Sequence, residues 1–318
     1  MPADASKGLL LAGIGDEAGY GIHAQVAAVR ALGWSAIELR SVDGLALADL
    51  SDQAFAQVAE AVDAAGLRVV AVDSRIGGWA RTADGDFAAD LAELDVLTRR
   101  CRSLGTPYVR IMSYPRGGLS GPAWRTAAID RIGVLTDRAA DAGLVLLVEN
   151  CAGWAASSAD RMREVLEAVN SPALRLLFDI GNGIAYGYAA PDLLGDIVGW
   201  VDHVHVKDAK GPATAPAYCL PGEGDAGVAD CLRLLLDAGY AGALSIEPHL
   251  AVVPHEGRRE PDSVCAAAFV AAGRALTELL GERTAEGGSP DFALGEARAP
   301  ALGEARAPGL ALGDGRPG

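Results

Sequence analysis

Residues 144–149 read LVLLVE: five apolar residues in a row, then a carboxylate. An apolar run this short, bounded on its N-terminal side by Gly143, reads as a strand covered on both faces. The pattern recurs downstream. Residues 174–179 read LRLLFD and end on Asp179; residues 201–206 read VDHVHV and carry His203 and His205; residues 243–247 read ALSIE and end on Glu247. Parallel strands place their C-terminal ends on one side of a sheet, so Glu, Asp, His and Glu from four strand ends can meet there. A carboxylate beside an apolar core costs several kcal/mol unless a cation or donors compensate it.

Upstream, the same kind of short run appears at Leu9–Ile14, Ala36–Leu39, Arg68–Val72 and Tyr108–Met112. With Val145–Val148, Arg175–Phe178, His203–Val206 and Leu244–Ile246 this makes eight strands. Helical patterns fall between them: Ile22–Leu32, Asp52–Ala65, Ala88–Ser103, Trp124–Ala142, Ala159–Val169, a shorter piece within Pro191–Gly199, Ala226–Ala238 and Ser263–Leu280. Gly33, Gly66, Gly105, Gly143 and Gly239 stand where helix stops are expected. Strand and helix alternating in this way, with no glycine-rich dinucleotide loop, predict a (β/α)8 TIM barrel over a doubly wound open sheet. The 318 residues suffice for one such barrel of about 250 residues.

The expected barrel domain spans residues 1–281. From 282 to 318 the composition turns to Ala, Gly, Pro, Glu and Arg, and ALGEARAP at 293–300 repeats at 301–308, with a decayed copy, ALGDGRPG, at 311–318. Few large apolar residues and a short period predict a disordered tail.

The bulk numbers exclude several classes. The net charge of −15 and the scatter of basic residues oppose nucleic acid and anionic membranes. No uninterrupted apolar run reaches 18 residues, which argues against membrane insertion. Five scattered cysteines without a C-x-x-C pair predict reduced thiols and a cytoplasmic location.

Oxygen and imidazole donors suit a hard or borderline divalent ion. With no thiolate in the set, Mn²⁺ is expected, with Mg²⁺, Co²⁺ or Fe²⁺ as alternatives. The residues alone leave His203 and His205 both open as the imidazole ligand. Each residue also has a plainer role: Glu149 pairing with an arginine, Asp179 capping the next helix, a histidine satisfied in the core, Glu247 closing a strand.

The segments VENCAGW, LLFDIGN, VDHVHVKD, PGEGD and LSIEPH together resemble the sugar phosphate isomerase/epimerase family, the xylose-isomerase-like TIM barrels, over roughly residues 8–280. The resemblance implies a single divalent ion held by Glu149, Asp179, His205 and Glu247, with His205 preferred over His203. It further implies a small sugar or cyclitol substrate, used in carbohydrate metabolism, whose proton beside a carbonyl is removed and returned by Glu149 and Glu247 through an enediolate, as in an isomerase or epimerase. Lys207 with its neighbour Asp208, Asn182, Glu223, Arg40 and Arg110 are the expected substrate contacts. The chain departs from the family pattern at Asn182, where many members carry His, and at Ala155, where ketose epimerases carry Glu. These departures keep open a dehydratase acting on a keto-cyclitol, as in the inosose dehydratases, or a barrel that serves as a non-catalytic subunit. The endonuclease branch of the fold needs a three-metal cluster with several additional histidine ligands, and the chain has only five histidines in total. The sequence is compatible with a homo-oligomer.

Overall fold

The structure is a computed structural model, and residues 9–285 are described. Its eight barrel strands are β1 (Leu10–Gly13), β2 (Ala36–Leu39), β3 (Arg68–Asp73), β4 (Tyr108–Ser113), β5 (Val145–Gly153), β6 (Leu174–Asp179), β7 (Val201–Val206) and β8 (Ala243–Ile246). They form one sheet in the order β1-β8-β7-β6-β5-β4-β3-β2, with parallel pairing throughout. A parallel bridge between Ile14 and Glu38 brings β1 back to β2 and nearly closes the barrel. All eight expected strands are present within a few residues of their anticipated bounds.

The helices are α1 (Ile22–Ala31), α2 (Asp52–Ala64), α3 (Ala88–Leu104), α4 (Gly121–Asp141), α5 (Ala159–Val169), α6 (Asn182–Tyr186), α7 (Ala190–Ile197), α8 (Val228–Asp237) and α9 (Asp262–Ala285). Ser51, Ser120 and Ser158 cap α2, α4 and α5 by accepting from backbone N–H groups in the first turn, which satisfies donors that the helix itself cannot. The five anticipated glycine stops all lie at positive φ, where a side chain would be strained.

Period-two alternation splits each strand between two environments. Val204, Val206, Leu244, Ile246, Ile37 and Leu39 join the main core beneath the helices. Ala12, Ala36, Val70 and Ala243 form a separate small cluster. The alternate set on β2, β7 and β8, namely Glu38, His203, His205 and Ser245, is fully buried as well. Apolar strands thus carry polar side chains on one face without breaking the helix-covered core.

Two boundaries differ from expectation by four residues or more. Strand β5 runs past Glu149 to Gly153, with its register against β4 shifting between Ile111 and Ser113. Helix α9 continues to Ala285, past the domain boundary at 281. By length and composition its segment Asp262–Gly281 is apolar enough to cross a membrane. However, Cys265, Phe269, Ala272, Leu276 and Leu280 recur at helical spacing and are buried against the barrel, as in a core helix. The repeat tail from 286 onward lies outside the described residues. Short hairpins not anticipated from sequence, Ser41–Val42 with Leu45–Ala46, Asp208–Lys210 with Ala217–Cys219, and Val252–Val253 with Arg258–Arg259, follow β2, β7 and β8.

Candidate metal centre

Glu149 lies within β5, Asp179 closes β6, His205 lies near the end of β7, and Glu247 follows β8. Their ligand atoms all lie within 4.8 Å of one another, and all four side chains are buried. Strand order places β5, β6, β7 and β8 side by side, so adjacent strand ends deliver the four groups to one point.

His205 is oriented from behind. Its Nε2 is 2.9 Å from Glu38 Oε1, and His203 Nε2 is 2.7 Å from Glu38 Oε2. An ionised carboxylate only accepts, so both imidazoles donate through Nε2, leaving the Nδ1 of a neutral His205 with its lone pair free. Among the described residues that Nδ1 is buried without a hydrogen-bond partner, and it sits 3.8 Å from Glu247 Oε2. A buried, unpartnered ring nitrogen facing carboxylates is what a divalent ion needs, and a carboxylate behind a ligating histidine is the usual support for one. The donor set fits a metal. His203, by contrast, points its Nε2 at the same glutamate and is absent from this four-residue group.

The electrostatics follow from the packing. Burial would raise Glu38, but His203 and His205 hold its carboxyl well below the usual range. Burial would lower His205, yet Glu38, Asp73 and Glu247 raise it to about 10 without a metal. Asp179 is pushed up to about 6 by burial, against the pull of Lys207. Glu247 is held well below its ordinary value, despite burial, by Lys207, His249 and Arg40.

Of the expected substrate contacts, Lys207 donates through Nζ to Asp179 (2.6 Å) and Glu247 (2.8 Å). Arg40 donates to Glu247 (2.5 Å), to Asp16 and to Glu17. Arg110 Nε lies 3.4 Å from Glu149 and 3.2 Å from Asp73. Asn182 donates to Glu149 Oε1 (3.2 Å), and its backbone N–H, the first of α6, donates to Asp179 Oδ1 (3.1 Å), although the N-cap position itself is Gly181. Arg40, Arg110, Asn182 and Lys207 all line, together with Glu149 and Glu247, a pocket of about 1300 Å³.

Glu223 does not join them. It is exposed and is not among the residues lining that pocket. The reason is Asp208, fully buried, which accepts from the backbone N–H groups of Gly222, Gly224 and Ala226 and ties the PGEGD loop down. A Cβ on Gly224 would meet Asp208 Oδ1 at 2.0 Å. Asp208 therefore anchors this loop and is not among the residues lining the pocket.

The structure adds residues that sequence reasoning missed. Glu38 is the charged member of the fully buried strand AIEL, and that placement was the available signal. Asp73 ends β3 as Asp179 ends β6, but the strand had been expected to stop at Val72. Glu17 and His249 bond to each other through Oε1 and Nδ1 (2.9 Å) beside Glu247, and His249 sits at φ +53°. Trp79 lines the pocket with 61% of its surface exposed.

Comparison with known proteins agrees with this architecture. A family model described as a xylose isomerase-like TIM barrel matches residues 26–263. A 2-epi-5-epi-valiolone 7-phosphate 2-epimerase from Actinoplanes sp. is 36% identical over 135 residues, 42% of this chain and 47% of that protein. An inosose dehydratase from Clostridium perfringens is 25% identical over 146 residues, 41% and 48% of the two chains. The chain thus spans about half the length of these curated relatives. Among solved structures, the IolI protein with a bound zinc atom superposes with a TM-score of 0.69 at 17% identity, covering 86% of this chain and 99% of that one.

Proposed function

This chain belongs to the xylose isomerase-like TIM-barrel family, and from that premise we propose that it is a divalent-metal-dependent isomerase or epimerase of a small sugar or cyclitol. The observation that carries the reading is the convergence of Glu149, Asp179, His205 and Glu247 within 4.8 Å, with His205 Nδ1 buried and unpartnered.

Those four residues would hold the ion. When bound, it would supply Lewis-acid polarisation of a carbonyl and its neighbouring hydroxyl, acidifying the C–H between them. The chain's own residues do the rest. Glu149 on β5 and Glu247 after β8 are separated around the barrel by β6 and β7, which lets one take a proton and the other return it. Lys207 places one positive charge between Asp179 and Glu247 and lowers the repulsion among the converging carboxylates. Arg40 and Arg110 do the same for Glu247 and Glu149, and Asn182 orients Glu149 by donating to it. Arg110, Arg40, Lys207 and Asn182 line the pocket and are placed to meet substrate oxygens. Glu149 and Glu247 are buried from bulk water, which strengthens these interactions.

The Actinoplanes relative supports epimerisation and the C. perfringens relative supports dehydration as a second reading, since both outcomes start from the same proton removal. Five free thiols, four of them buried, support a reducing, cytoplasmic setting. The metal identity is read by loading the apo protein with Mn²⁺, Mg²⁺, Co²⁺, Fe²⁺ and Zn²⁺ in turn.

The test is exchange of the substrate α-proton with deuterated solvent, measured with keto-inositols and ketohexoses on the metal-loaded protein. Glu149→Gln and Glu247→Gln should each reduce exchange by about 10²–10⁴-fold while metal content, measured in parallel, is retained. Retained exchange in a metal-replete variant would remove that glutamate from the proton path. Product analysis separates an epimer from an enone.

A further inference from the structure

Among the described residues, Asp73 differs from the other buried carboxylates in and around the pocket. Glu149, Asp179 and Glu247 each accept at least one hydrogen bond. Asp16 is held by Arg40, and Glu17 by Arg40 and His249. Asp73 is 3% exposed and lines the pocket, yet neither Oδ1 nor Oδ2 has a hydrogen-bond donor among the described residues. Its neighbour across the sheet is Arg110, in the middle of β4, paired in register with Asp73 at the end of β3. Arg110 Nε approaches Oδ1 to 3.2 Å, but the N–H is not aligned on it, and Nε too has no hydrogen-bond partner. The two groups form an ion pair with unused hydrogen-bonding capacity on both sides.

Buried polar atoms without partners are rare in native folds, and a carboxylate is the costliest kind to leave so. The ligand group formed by Glu149, Asp179, His205 and Glu247 does not include Asp73, so the metal does not account for it. The remaining donors are water in the pocket and a substrate group that takes its place. A carboxylate beside an arginine accepts a hydrogen bond from a hydroxyl, while the neighbouring N–H can donate to the same hydroxyl's oxygen.

We propose that Asp73, with Arg110 behind it, is a substrate-binding residue that accepts a hydrogen bond from a neutral ring hydroxyl distant from the carbonyl, and so selects a polyhydroxylated substrate over its deoxy analogue. The proposal rests on the metal-dependent sugar or cyclitol reading above. It adds a specificity determinant to the site and takes no part in the proton transfer.

The experiment compares metal-loaded wild type with Asp73→Ala and Asp73→Asn on 2-keto-myo-inositol and its single-deoxy analogues. A lost hydrogen bond to a charged group should raise KM about 10–100-fold in Asp73→Ala, with kcat and α-proton exchange within a few-fold of wild type. Asp73→Asn keeps one acceptor oxygen and should recover part of the loss. One deoxy analogue should show no difference between wild type and Asp73→Ala, because the partner hydroxyl is already absent. A fall in kcat without a change in KM would overturn the proposal and make Asp73 only a brace for Arg110 and Glu149. So would equal losses on every analogue. If wild type exchanges no proton on any ketone, the reading of the reaction fails, and calorimetry with myo-inositol decides the inference separately. Weaker binding of myo-inositol by Asp73→Ala supports it; equal binding, or none to either protein, overturns it. Thermal melting of each variant guards against misfolding.

Discussion

Replacing Glu38 by Gln is the most searching perturbation of this site, because Glu38 touches neither pocket nor expected substrate. Its two oxygens each receive one imidazole, His203 at 2.7 Å and His205 at 2.9 Å. An amide of the same shape has one accepting oxygen and one donating NH₂. One of the two histidines must then face a donor with its Nε2. If that is His205, its ring must become the other tautomer, and the proton moves to Nδ1, the nitrogen that faces Glu247. A protonated Nδ1 has no lone pair for a metal. If it is His203, a charge-assisted bond worth about 1.5–3 kcal/mol is lost beside the ligand. Loss of such an outer support lowers metal affinity about 10–100-fold, or about 1.4–2.7 kcal/mol. Calorimetric titration of apo wild type and Glu38→Gln with Mn²⁺ and Zn²⁺ reads this directly, with circular dichroism confirming the fold. A variant that folds and binds either ion within twofold of wild type would refute the claim that Glu38 sets the tautomer of His205.

Three further outcomes are expected. Cys101 and Cys231 are fully buried, and burial pushes both thiols up to about 12. A thiol raised in the folded state favours folding fully below its unfolded value near 8.5 and loses that contribution as pH rises toward 12, so each should cost about 1.4 kcal/mol per pH unit above 8.5. Denaturant unfolding at pH 8 and 10 should show a shallower decline in Cys101→Ala than in wild type, and equal slopes would contradict the assignment. Gly13→Ala places a Cβ 2.5 Å from Phe269 Cζ and 2.7 Å from Ile246 Cγ1, between β1, β8 and α9. Overpacking of this kind costs about 1–3 kcal/mol, or several degrees of Tm by calorimetry, whereas an unchanged melt would mean that α9 yields freely. Truncation after Ala285 should leave Tm and α-proton exchange unchanged; a lower melting point or an altered mass by light scattering would show that the repeat segment packs or recruits a partner.

Much of this architecture is local information. Short apolar runs punctuated by glycine stops state strand, helix and their alternation, because period and turn chemistry act over a few residues. Glu149, Asp179, His205 and Glu247 were legible for the same reason: a polar residue at the end of an apolar run is conspicuous, and strand order follows chain order in a barrel. Asp73 escaped only because its strand was closed one residue early, at Val72.

What the chain order does not state is which groups face one another across the barrel. Glu38 and His205 lie 167 positions apart in the chain, yet their side chains are in contact. Glu17 and His249 are 232 apart and share a hydrogen bond. Asp208 and Glu223 were both expected substrate contacts, yet the backbone N–H groups of the PGEGD loop converge on Asp208 and Glu223 is exposed. Sequence alone determined the barrel and the four strand-end groups, since both follow from residue periodicity. Tertiary structure alone decided which nitrogen His205 turns toward Glu38 and which toward Glu247, the partners of Arg40, Arg110 and Lys207, and the surroundings of Asp73, since these depend on distances set only when the strands assemble.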